Sequence, residues 1–261
     1  MSDTVSDAPV IEFTNVQKAF AGRPALRDLS FGIGRGELVS VVGVTGCGKS
    51  TTFNLILGLF PPTEGSVRVE GHDPYTEFDW FRRRMAVVFQ DARLLPWRTA
   101  VQNVRTGMKF AGVPKPEWDG RARDWLSRLG LAGREDAYPH QLSGGQRQRV
   151  ALARAFAVDP EIILCDESFS ALDEITAETL RREFVDLVRA NGKTGVVITH
   201  SLSEALTLGN RILVLRPPGH LADDVVVPPD PDPGTLAELR ERLLAGMAPA
   251  DPAVLTVKGS E

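Results

Sequence analysis

The sequence predicts an α/β fold, a mostly parallel sheet with helices on its faces. Three observations predict it. Short apolar runs of strand length alternate with helix-like spacings along most of the chain. One run, Val39–Val42, passes through a glycine-rich loop into a helical pattern. Another, Ile162–Cys165, ends on two acids, Asp166 and Glu167. In sheets of this class, ligands lie beyond the C-terminal ends of the strands.

Each element follows from its local pattern. Residues 1–9 are polar and acidic and read as a disordered tail. Val10–Val16 alternates like a strand. Phe20 falls on a loop before a second alternating run, Ala25–Ile33, and Gly34–Glu37 is a turn. The helix after the glycine loop runs from about Lys49 to Leu59, with Pro61 and Pro62 as its stop. Gly65–Gly71 and Met85–Gln90 are further strands. From Asp91 to about Tyr138 the texture shifts to Trp, Arg and Lys at helical spacing, broken by Pro96, Pro114 and Pro116. With the helix that follows, this gives an inserted helical subdomain at about 91–157. Leu142-Ser-Gly-Gly-Gln146 opens that helix, which Asp159-Pro160 ends. Helix signals return at Ile175–Ala190, then a strand at Gly195–His200, a helix at Glu204–Leu208 and a strand at Arg211–Leu215. Residues 10–226 thus form the main domain. The prolines from Val227 to Pro233 form a linker, and Thr235–Met247 is an amphipathic helix with Leu236, Leu239, Leu243 and Leu244 on one side. Residues 248–261 read as frayed.

Bulk properties narrow the class. A chain of 261 residues, 43% hydrophobic and 25% charged, buries a substantial core. A formal net charge of −4 argues against a nucleic-acid binder. Two cysteines, Cys47 and Cys165, make no disulfide framework and suit a reducing cytosol. The acidic start is no secretory leader. No apolar run approaches the roughly 18–20 residues of a membrane span, so any work at a membrane goes through a partner.

The chemistry gathers at the strand ends. Gly43-Val-Thr-Gly-Cys-Gly-Lys-Ser50 fits G-x-x-x-x-G-K-[ST] between a strand and a helix. Gly43, Gly46 and Gly48 let successive N–H groups point into one concavity, and the helix start adds positive potential. Lys49 supplies a charge to phosphates and Ser50 a hydroxyl to Mg²⁺. Asp166 suits a place near that ion, and Glu167 suits orienting water. Leu142–Gln146 is a second glycine-rich helix start, with Ser143 either an N-cap or an anion ligand and Gly144 and Gly145 permitting close approach. Two such helix ends either converge within one chain, or one of them serves a second molecule.

In order, Gly43–Thr51, Gln90, Leu142–Gln146, Ile162–Glu167, Ser170–Asp173 and His200 resemble the motifs of ATP-binding cassette (ABC) proteins. The resemblance covers about residues 10–220. It implies a P-loop NTPase fold with an added antiparallel β subdomain. It implies ATP and Mg²⁺, with Phe20 stacked on adenine. Gly43, Val44, Thr45, Gly46, Cys47, Gly48, Lys49, Ser50 and Thr51 would form the phosphate loop. Ser143, Gly144, Gly145 and Gln146 would close on the nucleotide of a second copy, or of a homologous ATPase subunit, in a head-to-tail dimer bridged by Asp173. Ser50, Gln90 and Asp166 would hold the metal. Glu167, His200 and Gln90 would serve hydrolysis. Val44 and Thr45 stand where Pro-Ser is frequent, and Ser168 where proline usually follows the glutamate; neither change removes a ligand.

Val88–Trp97 and Ile198–Leu206 look like the importer subgroup for nitrate, sulfonates and taurine. That implies a membrane permease docking near Gln90–Trp97, where Leu94, Leu95 and Trp97 would form an exposed apolar patch. It further implies an indirect solute-binding partner outside the cell, and a cytoplasmic location on the inner membrane face. An exporter ATPase, or a soluble ABC protein acting on DNA or ribosomes, are the alternatives.

Overall fold

The computed structural model describes residues 8–170 and 172–248. The first elements are β1 (Ile11–Phe20), β2 (Arg23–Ile33), β3 (Leu38–Val42), α1 (Lys49–Ile56), β4 (Glu64–Val69) and α2 (Phe78–Phe81). Then come β5 (Met85–Phe89), α3 (Ala100–Phe110), α4 (Trp118–Arg128), α5 (Gly144–Phe156), β6 (Ile162–Asp166) and α6 (Glu174–Ala190). The chain continues with β7 (Thr194–Ile198), α7 (Leu202–Leu208), β8 (Arg211–Arg216), β9 (His220–Val226) and α8 (Pro233–Met247).

Two sheets result. The larger runs in the order β5-β6-β7-β3-β8-β9, parallel from β5 to β8 and antiparallel at β9. The smaller is antiparallel, in the order β2-β1-β4. The central strands are apolar throughout because both of their faces are covered. Along β6, Ile163 and Cys165 pack into a core built mainly with α3–α6, while Ile162 and Leu164 face α1 and the smaller sheet. A third core gathers Val42, Ile212, Val214 and Val225 under Leu243 of α8.

The structure departs from the sequence reading at four elements, the first being β1, which runs on to Phe20 where a loop was expected. The helix after the glycine loop ends at Ile56, not near Leu59. Gly58 stops it before the prolines do: it adopts φ 65°, and a Cβ there would lie 2.0 Å from the Pro74 carbonyl oxygen. The short helix α2 and the edge strand β9 lack a periodic apolar signal. In β9, Asp223 and Asp224 interrupt the pattern, and both are matched by distant arginines. Arg211 holds Asp224 through Nε–Oδ1 at 2.8 Å and a second bond at 2.7 Å, and Arg242 holds Asp223 through two bonds of 2.7 Å. Of the tails read at residues 1–9 and 248–261, residues 1–7 and 249–261 lie outside the described residues.

Candidate active site

The loop after β3 curls as its glycines dictate. Gly46 has φ 82° and Gly48 φ 95°, backbone that side chains resist. Gly43 and Gly48 are also sites of close approach: a Cβ would come within 2.3 Å of the Leu215 oxygen at Gly43 and 2.5 Å of Leu26 at Gly48. Gly46 faces open space, and Val44, Thr45 and Gly46 are exposed at the tip. Lys49 is buried, and its Nζ donates to the Gly43 oxygen at 2.7 Å and the Val44 oxygen at 3.2 Å. These bonds hold the ammonium inside the curve of the loop. Cys47 is buried beneath it, its Sγ 3.9 Å from Nζ, and burial raises the thiol pKa. Ser50 is exposed and Thr51 half-buried on the first turn of α1.

The start of α1 is open to an anion. Gly48 offers no side-chain cap, and no acid stands in the first turn. The N–H groups there have no intrahelical acceptor. The start of α5 is different. Ser143 Oγ accepts from the Gln146 N–H at 3.3 Å, and Gln146 Oε1 accepts from the Ser143 N–H at 2.9 Å. This capping box satisfies two donors and leaves the N–H groups of Gly144 and Gly145. Gly145 is also required by packing, since a Cβ there would meet Thr176 of α6 at 2.7 Å.

The sheet brings polar side chains to neighbouring strand ends. Glu167, just past β6, has φ 46°, a conformation rare outside glycine, and its N–H is bonded to the Ile198 oxygen at 2.9 Å. Its Oε1 lies 3.2 Å from Nδ1 of His200, which follows β7. Gln90, just past β5, donates through Nε2 to Ser170 Oγ at 3.1 Å, and Ser170 Oγ donates to the Glu167 carbonyl at 2.9 Å. Asp166 is half-buried beside them. Burial raises its pKa first, the Glu167 charge second, while Arg93 and Lys49 oppose the rise. Gln90, Asp166, Glu167 and His200 thus share one edge of the sheet with the Lys49 loop. Asp173 caps α6, accepting from the Thr176 N–H at 3.0 Å.

Two predicted groups stand apart from this cluster. No hydrogen bond or ion pair among the described residues joins Ser143–Gln146 to Gly43–Thr51. The strand order places β5, on which α5 packs, three spacings from β3, about 14 Å. Phe20 closes β1 at its turn rather than sitting on a loop, and it is 43% exposed. Its ring meets Phe60 edge-on at 5.2 Å, and the Lys18 ammonium lies 5.1 Å from its centroid.

The expected patch after Gln90 is mostly folded in. Trp97 is 69% exposed, but Leu94 packs against the helical core and Leu95 is half-buried. Asn103 explains this. It is fully buried, accepts from the Leu95 N–H at 2.7 Å, and donates to the carbonyls of Leu95, Arg98 and Thr99. Sequence reading also missed the side chains that pin the end of β5. Ser168 Oγ donates to the Val88 oxygen at 2.7 Å, and Gln148 Nε2 to the Phe89 oxygen at 3.0 Å. Arg154 donates to the Ala92 and Arg93 oxygens at 2.7 and 2.9 Å. The Ser168 hydroxyl gives a structural reason for serine where proline is usual. Gln148 and Arg154 are polar residues inside a helical pattern, with no signal in the sequence.

The donor set suits a magnesium nucleotide. Among the described residues no group of three or more His, Cys, Asp or Glu could hold a metal ion. Mg²⁺ needs no such cage, because one or two carboxylates and substrate phosphates suffice. Asp166 is a carboxylate whose pKa is raised by burial first and by the Glu167 charge second, and a bound cation would offset both.

The ABC transporter family model matches residues 26–170. The chain is 42% identical over 208 residues to the taurine import ATP-binding protein TauB of Yersinia pestis bv. Antiqua (strain Antiqua), covering 78% of this chain and 79% of that protein. It is 40% identical to the aliphatic sulfonates import ATP-binding protein SsuB 2 of Agrobacterium fabrum, covering 83% and 80%. Among solved structures, the dimeric ATP-binding cassette MJ0796 in a post-hydrolysis state with ADP and Pi superposes with a TM-score of 0.73 at 34% identity, covering 84% of this chain and 99% of that one. A family match across more than half of the chain, together with relatives 40–42% identical over most of both lengths, means that this protein belongs to the ABC transporter family as an ATP-hydrolysing subunit that works with Mg²⁺.

Proposed function

We propose that this subunit energises import of a small sulfonate-like solute through a separate permease, with two copies of the chain closing on nucleotide. The observation that carries the catalytic part is the Glu167–His200 contact beside the Lys49 loop. In this reading Gly43–Thr51 cradle the phosphates and Lys49 carries the balancing charge. Ser50, Gln90 and Asp166 hold Mg²⁺, which supplies neutralisation of charge on the phosphate oxygens. Glu167 accepts a proton from the attacking water, and His200, fixed against it, faces the terminal phosphate. Phe20 stacks on the base.

The separation of α5 from the loop after β3 supports a second copy as the recipient of Ser143, Gly144, Gly145 and Gln146. Asp173 stands at the exposed start of α6, where a partner chain can meet it. The permease seat we assign is a groove of about 800 Å³ beside the segment after Gln90. Leu57, Phe78, Phe81, Leu95 and Phe110 line it, with Arg82 and Lys109 among its charged residues. Phe78 and Phe110 are 56% and 71% exposed, an apolar surface suited to an inserted helix. Among the described residues no helix is long and apolar enough to cross a membrane. In this reading the subunit acts from the inner face, through this seat. A solute-binding protein outside the cell completes the system.

The test is reconstitution with its permease, in vesicles with ATP enclosed on the subunit's side. ATP-dependent transport of taurine or a short alkanesulfonate toward the subunit's side is the expected result. Transport in the opposite direction, or ATP hydrolysis indifferent to the permease, would contradict import.

A further inference from the structure

Behind the Glu167–His200 pair lies a buried carboxyl that the reading above leaves unused. Glu204 stands in the first turn of α7 and is 1% exposed. Its Oε2 accepts from the Thr199 hydroxyl. The Thr199 oxygen in turn accepts from the Ser201 N–H at 3.0 Å, and Ser201 Oγ accepts from the Glu204 N–H at 3.3 Å. These bonds bracket His200. The residues before and after it are both tied by their side chains to Glu204 in the first turn of α7, and the Ser201 N–H closes back on the Thr199 hydroxyl.

Packing alone does not account for a carboxyl here. Glu204 Oε1 has no hydrogen-bond partner, nor has Nε of the neighbouring Arg181. A buried acid left half-satisfied destabilises the fold, and an apolar side chain of similar size would be the more favourable occupant. Burial raises the Glu204 pKa; the Thr199 hydroxyl, Arg181 and His200 pull it down, and Glu167 pushes it up. The carboxyl therefore lies within electrostatic reach of both members of the pair.

We infer that Glu204 is a positioning residue for ATP hydrolysis: through Thr199 it fixes the backbone on both sides of His200 and so aims the imidazole at Glu167. The inference rests on the reading that His200 serves hydrolysis, and a double-mutant cycle separates the two. Glu204→Ala is expected to lower kcat about tenfold while KM for MgATP changes less than about twofold. In a His200→Ala background the same substitution is expected to change kcat by less than about twofold, because residues that act through one another are not additive. Thr199→Val, which removes the same hydroxyl at nearly constant shape, is carried through the same cycle and gives the result should Glu204→Ala fail to fold. Equal losses in both backgrounds would overturn the inference and leave the role of His200 standing. A His200→Ala enzyme with unchanged kcat would overturn the reading of His200, and this inference with it.

Discussion

Lys49 shows how one residue carries both structure and chemistry. Its ammonium is buried and held by two carbonyls of its own loop, so the charge is in place before any phosphate arrives. A bound phosphate offers the ammonium charged acceptors in place of neutral ones, and hydrogen bonds to charged groups contribute about 1.5–3 kcal/mol each. Lys49→Ala should therefore raise the Kd for MgATP by roughly ten- to a hundredfold, read by titration calorimetry. An unchanged Kd would remove the loop from nucleotide binding. Lys49, Asp166 and Glu167 are legible in the sequence because residue type and spacing fix what each can do. Glu204, Arg154 and Asn103 are not. An acid in the first turn of a helix, or an amide in its second, looks like ordinary surface usage until the tertiary fold buries it.

At the scale of elements, terminators and edges were hardest to read. Gly58 ends α1 through a left-handed conformation pressed against Pro74, and nothing local distinguishes it from any other glycine. Gly58→Ala combines that strained conformation with a 2.0 Å clash against backbone, and should destabilise the protein by more than about 1 kcal/mol, seen as a lowered Tm. A Tm at or above the native value would show that glycine is not required there. The edge strand β9 escaped because its two acids are answered 13 and 19 residues away, a pairing that local windows do not see. That pairing predicts a pH dependence. The bond from Arg242 holds the Asp223 pKa below the usual carboxylate value, so the carboxylate form favours the folded state. The contribution is complete above the ordinary carboxylate range and is lost as pH falls through it, below about pH 4. The Tm difference between the native protein and Asp223→Asn should shrink toward zero over that interval. A constant difference would mean that the pair does not anchor α8.

At the scale of the whole molecule, the parallel sheet does the assembling. β5, β6, β7 and β3 are neighbours, so Gln90, Asp166, Glu167, His200 and the loop at Gly43 emerge along one edge although they span more than 150 residues of sequence. That convergence was legible in advance, since apolar strands ending on polar residues in a parallel sheet leave few other places for a site. What the sequence alone left open was whether Leu142–Gln146 belonged to the same site. The fold sets it apart, on a helix packed at the β5 side, and its capping box keeps only part of its N–H groups free. The central claim is that a second chain brings those groups to the nucleotide. Light scattering on a Glu167→Gln variant, with hydrolysis slowed and MgATP present, tests it most directly. The account predicts a stable dimer that requires both ATP and the Ser143–Gln146 segment, and that reverts to monomer when Gly144, which has room for a side chain within its own chain, is replaced by aspartate. A variant that binds MgATP and stays monomeric at every concentration would contradict it.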